Sequence, residues 1–214
     1  MQLIYAAIMM GKFSKAMSYL SKVERKQQIL DIAMMMALED GLNTLTVRNI
    51  AQKAALSVGL IHHHFATIQT LKCEVFIQLV YQCLDPQRIK QNLDLTEKLL
   101  FVLGFTERER EFPYIRLWND AEKNSQLSTE FQRVFMMSMD AWHHAVKTLL
   151  ETNQAVEVQT LDDIAWQLIG LTLGLESLSK FHGQLFTHHY AIQLVTTFIE
   201  DKLIKPEKML KSHH

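Results

Sequence analysis

The first strong pattern along the chain is an amphipathic helix over residues 21–40. Val23, Ile29, Leu30, Ala33, Met36 and Ala37 recur at spacings near three and four, while Glu24, Arg25, Lys26, Gln28 and Asp31 lie mostly elsewhere. Gly41 follows, at the position where a left-handed backbone is cheapest. Thr46 then offers a side-chain oxygen to the open amides of a short helix over 47–54, with Val47, Ile50, Ala51 and Ala54 facing inward. Ser57 is placed to cap a third helix over 58–64, with Phe65 plugging the core behind it. Thr67 opens a fourth, long helix whose inward positions are Leu71, Val75, Phe76 and Leu79, ending near Asp85-Pro86. Four helices, the middle pair separated by three or four residues, describe a helix-turn-helix unit with a long connector.

From Asp94 onward the pattern stays helical. The ERERE run at 107–111, followed by Phe112-Pro113, marks a break, because Pro113 disfavours helical geometry in Phe112. Further helices are expected over 114–123, 128–152, 162–180 and 187–202. No strand-like alternation, repeat or low-complexity tract interrupts them, so the fold class is all-α. Composition agrees: only 7 Gly and 3 Pro occur in 214 residues, a length that buries a core without disulfides or metals. Cys73 and Cys83 fall on one expected helix, about 15 Å apart along its axis, and read as reduced thiols of a cytoplasmic protein. The N-terminal LIYAAIMM run is too short to span a bilayer and lacks a basic flank, so residues 1–20 read as an extension; no membrane partner is expected.

Net charge is −1, which at first disfavours a nucleic-acid partner. Its distribution changes that. Residues 1–80 carry 8 Lys+Arg against 5 Asp+Glu, and residues 81–214 carry 14 against 18. A mildly basic N-terminal part on an acidic body suits a small DNA-reading unit attached to something larger. The residues between Thr46 and Phe65 supply matching chemistry. Ser57 and Thr46 bring hydroxyls and helix N-termini for phosphates. Gly59 removes a side chain where a groove comes close, and His62 and His63 can donate to phosphates or bases. Arg48 and Lys53 flank the supporting helix, and Lys72 sits early in the fourth. Protonation of the histidines near pH 6 would strengthen such binding.

The segment ILDIAMMMALEDGLNTLTVRNIAQKAALSVGLIHHHF resembles the N-terminal domain of the TetR family of bacterial transcriptional regulators, over roughly residues 21–80. SVGLIHHHF is similar to the recognition segment of that family's BetI-like branch. YIRLWNDAEKNSQL and DDIAWQLIGLTLGLESL more weakly resemble that branch's ligand and dimer domain. The resemblance implies a homodimeric, ligand-responsive DNA-binding protein, usually a repressor. It further implies Thr46 and Ser57 as phosphate contacts, Val58, Leu60 and His63 toward the major groove, and His62 in place of a phosphate-contacting Tyr. Three positions depart from the pattern. Ala55 stands for the usual turn glycine, so the turn either avoids a left-handed backbone or bears strain of about 1 kcal/mol. Val58 replaces a polar residue and favours a thymine methyl. Ile68 replaces a phosphate-holding Lys, for which Lys72 is an imperfect substitute.

The expected organisation is an extension (1–20), a helix-turn-helix DNA-binding domain (21–68), a connector helix (69–85), a ligand-binding and dimerisation domain (86–208) and a tail (209–214) that carries His213 and His214. Phe105, Trp118, Met136, Met137, Trp142 and Trp166 are candidates to line a cavity for an unidentified small-molecule effector, with Asp120 or Glu122 beside Trp118 for a cationic one. Gly170 and Gly174, at i and i+4 on a broadly apolar helix, point to a homodimer face shared with Tyr190, Leu194, Val195 and Phe198. Adjacent histidines diverge on a helix and no zinc-type spacing appears, so neither metal nor cofactor is expected. No nucleophile–base pair or phosphate loop suggests an enzyme. The reading is a regulator released from a near-palindromic double-stranded operator by its effector. Its rival is the same fold with weak or lost operator recognition.

Overall fold

The computed structural model describes residues 20–105, 114–152 and 160–203. The LIYAAIMM extension, the ERERE run with Phe112-Pro113, and the terminal histidines lie outside them. Among the described residues there are nine α-helices, two single 3-10 turns and no strand. Helix α1 (Lys22–Asp40) opens with a reciprocal cap. Glu24 N–H donates to Ser21 Oγ at 3.3 Å, and Ser21 N–H donates to Glu24 Oε2 at 2.8 Å. Those bonds hold the Glu24 carboxyl below the usual carboxylate range. The buried face runs from Ile29 to Ala37 and includes Ile32 and Met34. Val23, expected inside, is 78% exposed and belongs to neither core cluster, because no neighbouring helix packs over it.

Helices α2 (Val47–Ala54), α3 (Val58–His64) and α4 (Ile68–Cys83) follow at short intervals, each opened by a hydroxyl. Thr46, Ser57 and Thr67 accept from the backbone N–H of Asn49, Leu60 and Thr70, at 3.1, 3.2 and 3.0 Å. Ile50, Ile61 and Phe65 plug the space between α1 and α4. Cys73 is buried and Cys83 half-buried on α4, with no disulfide between them, and burial pushes the Cys73 thiol up to about 12.

The remaining helices are α5 (Leu95–Val102), α6 (Tyr114–Leu127), α7 (Thr129–Glu151), α8 (Leu161–Phe181) and α9 (His188–Leu203). Helix α7 is central, packing against α4, α5, α6 and α8. The core forms two clusters. One joins α1 to α4 and takes in Leu117, Ala121 and Phe131; the other joins α5, α7, α8 and α9. Half-buried Trp118 touches both, with its rings 5.2 Å from Phe76, 5.7 Å from Phe135 and 5.4 Å from Trp142. Each fully buried side chain of this kind contributes about 2 kcal/mol through removal of apolar area from water. No described helix is long and apolar enough to cross a membrane.

Candidate nucleic-acid interface

The connection between α2 and α3 is set by the backbone of Ala55, at φ 54°, ψ 41°. Leu56 N–H donates to Ala51 O at 2.9 Å, and Ala55 N–H donates to Gln52 O at 3.2 Å. This is a Schellman closure, which requires a left-handed residue at that point. Ala55 therefore bears the strain that a glycine there would avoid, and it is the one described non-glycine residue at positive φ. The closure turns the chain so that α3 begins at Val58 after three connecting residues, the last of them its cap Ser57.

The caps and turn leave one continuous surface. Thr46, Arg48, Ser57, Gly59, His62 and His63 are exposed, and Val58 is 45% exposed despite being apolar. A Cβ at Gly59 would meet nothing within 4 Å. Packing within the protomer thus gives no reason for a glycine there, although glycine costs about 1 kcal/mol in a helix relative to alanine. Leu60 is half-buried, so less of it is available outward. Lys72 departs further: it is half-buried, burial lowers its pKa from the usual lysine value, and the Asp120 charge opposes that shift. His64 is also lowered, by burial and by the nearby His63, Lys22, Arg25 and Lys26. Lys26 in turn bonds Glu74 at 2.7 Å and ties α1 to α4.

The six candidate effector residues are not brought together. Trp142 is buried and its Nε1–H donates to Val102 O at 2.9 Å; Trp118 contacts it, and Phe105 is half-buried on the same C-terminal cluster. Met136 and Met137 are 54% and 47% exposed. The inward positions of α7 are Phe131, Ser138, Trp142, Val146 and Leu150, which puts 136 and 137 on the opposite side. Trp166, 44% exposed, stacks on His143 at 4.4 Å between ring centroids. A depression of about 430 Å³ lies along α9, at Tyr190, Gln193, Leu194 and Thr197, and none of the six borders it. Asp120 does not face a cavity either: its carboxylate accepts two bonds from Asn43 of the N-terminal unit. Among the described residues no group of three His, Cys, Asp or Glu is gathered as a metal site.

Helix α8 exposes Trp166, Gly170, Leu173, Gly174, Leu178 and Phe181, one stripe at spacings of three and four, and Leu185 and Tyr190 beyond it are also exposed. Val195, expected on that face, is instead fully buried within the protomer, and Leu194 and Phe198 pack partly against the same core. The inward period of α9 is Ala191, Val195, Ile199 and Leu203.

Residues 29–72, which hold α2, α3 and the turn, match the model of bacterial regulatory proteins of the tetR family. This unit is similar to a TetR-family helix-turn-helix domain. The HTH-type transcriptional repressor KstR2 of Rhodococcus jostii (strain RHA1) is 24% identical over 159 residues, 68% of this chain and 78% of that protein. A transcriptional regulator from Saccharomonospora viridis, solved with choline, shares the fold at a TM-score of 0.65 and 20% identity, over 83% of this chain and 96% of its own. A TetR transcriptional regulator from Legionella pneumophila does so at 0.61 and 22%, over 87% and 100%. The TetR-like fold thus extends from the helix-turn-helix domain into the C-terminal helices.

What sequence reasoning missed is the polar row Arg116, Asp120 and Asn124 on α6. Its four-residue spacing, beside the buried Leu117 and Ala121, was the available signal.

Proposed function

We propose that the protein is a homodimeric transcriptional regulator that binds a near-palindromic operator and is controlled by a small molecule. The observation that carries this reading is the exposed surface of α2 and α3. Two capped N-termini, at Thr46 and Ser57, border an outward face of Val58, Gly59, His62 and His63 that no other described element covers. Hydroxyls and helix N-termini position a protein on phosphates, while side chains on the following turn reach base edges. Val58 suits a thymine methyl, His63 a base edge, and His62 a phosphate. Arg48 supplies charge, with Leu60 at the groove edge and Lys72 half-buried.

The apolar stripe on α8 suits a second copy. Gly170 and Gly174 have open space where a Cβ would stand, which permits close helix approach, and a two-fold pair would present two reading helices to successive half-sites. We assign residues 21–68 to DNA reading, 69–85 to the connector and 86–208 to effector binding and pairing. The effector site is best placed at the aromatic seam of Trp118 and Trp142 with Phe105 near it, whereas Trp166 belongs with the pairing face and Met136 and Met137 with the outer surface. Repression agrees with the repressor name of the Rhodococcus jostii relative, and the BetI-like branch with the α3 sequence.

A second reading has a specific observation behind it. Ile68 is apolar and half-buried and Lys72 is half-buried, so the start of α4 offers little charge to a phosphate. A fold with weakened operator recognition fits that feature. Gel-shift assays on DNA upstream of the protein's own gene separate the two. The first reading predicts a competable shift that Ser57→Ala with His63→Ala weakens without unfolding the domain. An unshifted DNA, with or without cell extract as a source of effector, overturns it.

A further inference from the structure

Beside the apolar packing of Leu117 and Ala121, helix α6 holds the N-terminal domain through a polar row of side chains. Arg116, Asp120 and Asn124 stand four residues apart and share a face. Arg116 Nη2 donates to Leu38 O at 3.2 Å and to Glu39 O at 2.5 Å, carbonyls in the last turn of α1 that carry the negative end of its dipole. Asp120 Oδ2 accepts the backbone N–H of Asn43 at 3.2 Å, and Oδ1 accepts its Nδ2 at 2.7 Å. Asn124 completes the set by donating to Asn43 Oδ1 at 2.8 Å and to Asp120 O at 2.6 Å. Asp120 and Asn124 are only 9% and 7% exposed. A carboxylate shielded this far holds hydrogen-bonded partners strongly, because releasing them leaves its oxygens short of donors.

The fit is close at its centre. Gly41 has φ 95°, and a Cβ there would lie 2.8 Å from Asp120 Oδ2. From Asn43 the path to the reading surface is short. Thr44 O accepts from Asn49 Nδ2 at 3.3 Å, in the first turn of α2, and Thr46 caps that helix. Helix α2 then determines α3 through the Ala55 closure. The body thus grips the turn from which the whole helix-turn-helix departs.

We propose that Asp120 is a positioning residue for DNA recognition: by clamping Asn43 to α6 it sets the tilt of α2 and α3 relative to the C-terminal body. This rests on the DNA-binding reading above. With the clamp intact, both heads of a dimer hold one attitude and meet two half-sites together. With it broken, the 41–44 turn is released and the heads lose that common attitude, although each domain keeps its own core.

The test is a single variant and its compensated partner. Asn43→Asp sets two carboxylates against each other. Asn43→Asp with Asp120→Asn restores a carboxylate–amide pair with the roles exchanged and leaves the net charge of the native pair. Three quantities are read: affinity for DNA upstream of the protein's own gene, backbone amide exchange over residues 41–50 without DNA, and the thermal midpoint. Asn43→Asp is expected to weaken DNA binding about tenfold, at a temperature where it stays folded, and to speed exchange in that segment; the double variant returns both to within about twofold of the native protein. Unchanged affinity in Asn43→Asp, with faster exchange or a lower midpoint, overturns the proposal, since the contact is then merely structural. A double variant that still binds weakly also overturns it, because the negative charge introduced at position 43 then accounts for the loss by itself. If the native protein itself gives no competable DNA complex, the DNA-binding reading fails and the proposal falls with it.

Discussion

Replacing Ala55 by glycine is expected to stabilise the protein, even though it removes a methyl group and loosens the unfolded chain. Ala55 sits at φ 54°, ψ 41°, where an L-residue with a Cβ carries about 1–2 kcal/mol of steric strain. Glycine adopts that backbone freely, but its greater freedom in the unfolded state costs about 0.4–1 kcal/mol. Ala55 is exposed, so little packing is lost with the methyl. The balance is a gain of about 0.5–1 kcal/mol, which for a domain of this size raises the thermal midpoint by about 1–4 °C. Urea unfolding followed by circular dichroism, at one fixed protein concentration, measures it. The midpoint should rise with an unchanged slope. Ala55→Val should move the other way, because a β-branched side chain tolerates a left-handed backbone less well. A lower midpoint for Ala55→Gly, or no penalty for Ala55→Val, would show that the α2–α3 turn does not have the left-handed closure on which the placement of Ser57 depends.

Other outcomes follow from the same geometry. Gly41→Ala is expected to destabilise by about 2 kcal/mol or more in urea unfolding, since it combines a positive φ with a Cβ 2.8 Å from Asp120 Oδ2. An effect under about 0.5 kcal/mol would refute the close approach of α6 to this turn. Trp142→Phe removes a buried indole and its 2.9 Å bond to Val102 O, so a loss of about 2–3 kcal/mol is expected by the same measurement. The folded state lowers His64 from 6.5 through burial and four nearby basic groups, so below that value the unfolded chain binds more protons than the folded one. The contribution is therefore fully present above about 6.5 and lost as pH falls through the lowered folded value; urea midpoints across that range should decline more gently in His64→Gln, and identical profiles would refute it.

The helix-turn-helix was legible in the sequence because its determinants are local. Thr46, Ser57 and Thr67 each announce a helix through a side chain and an amide three residues away, and the observed starts follow them directly. Ala55 was legible as a problem, and the structure resolves it in favour of strain. What depends on distant partners was harder to read. Val23 continues the apolar period of α1 yet meets no described core face, and Met136 and Met137 lie on a helix long enough for its inward stripe to pass them by. Apolar character identified neither case, because burial there is set by which neighbouring helix arrives. Asp120 and Asn43 are 77 residues apart, and nothing local in either marks the other as its partner.

The central claim is that α2 and α3 of two protomers read DNA. Its most direct test is a fluorescence-anisotropy titration of DNA upstream of the protein's own gene, in unlabelled competitor, across a salt series. Arg48 and Lys53 are the exposed cations on α2, four in a dimer, taken here as the phosphate contacts. Counterion release then gives a log–log salt slope of about −4, with two protomers bound per palindromic site. Binding that is absent at low salt, or that random competitor removes as readily as the specific fragment, while the protein remains a folded dimer, would contradict the account.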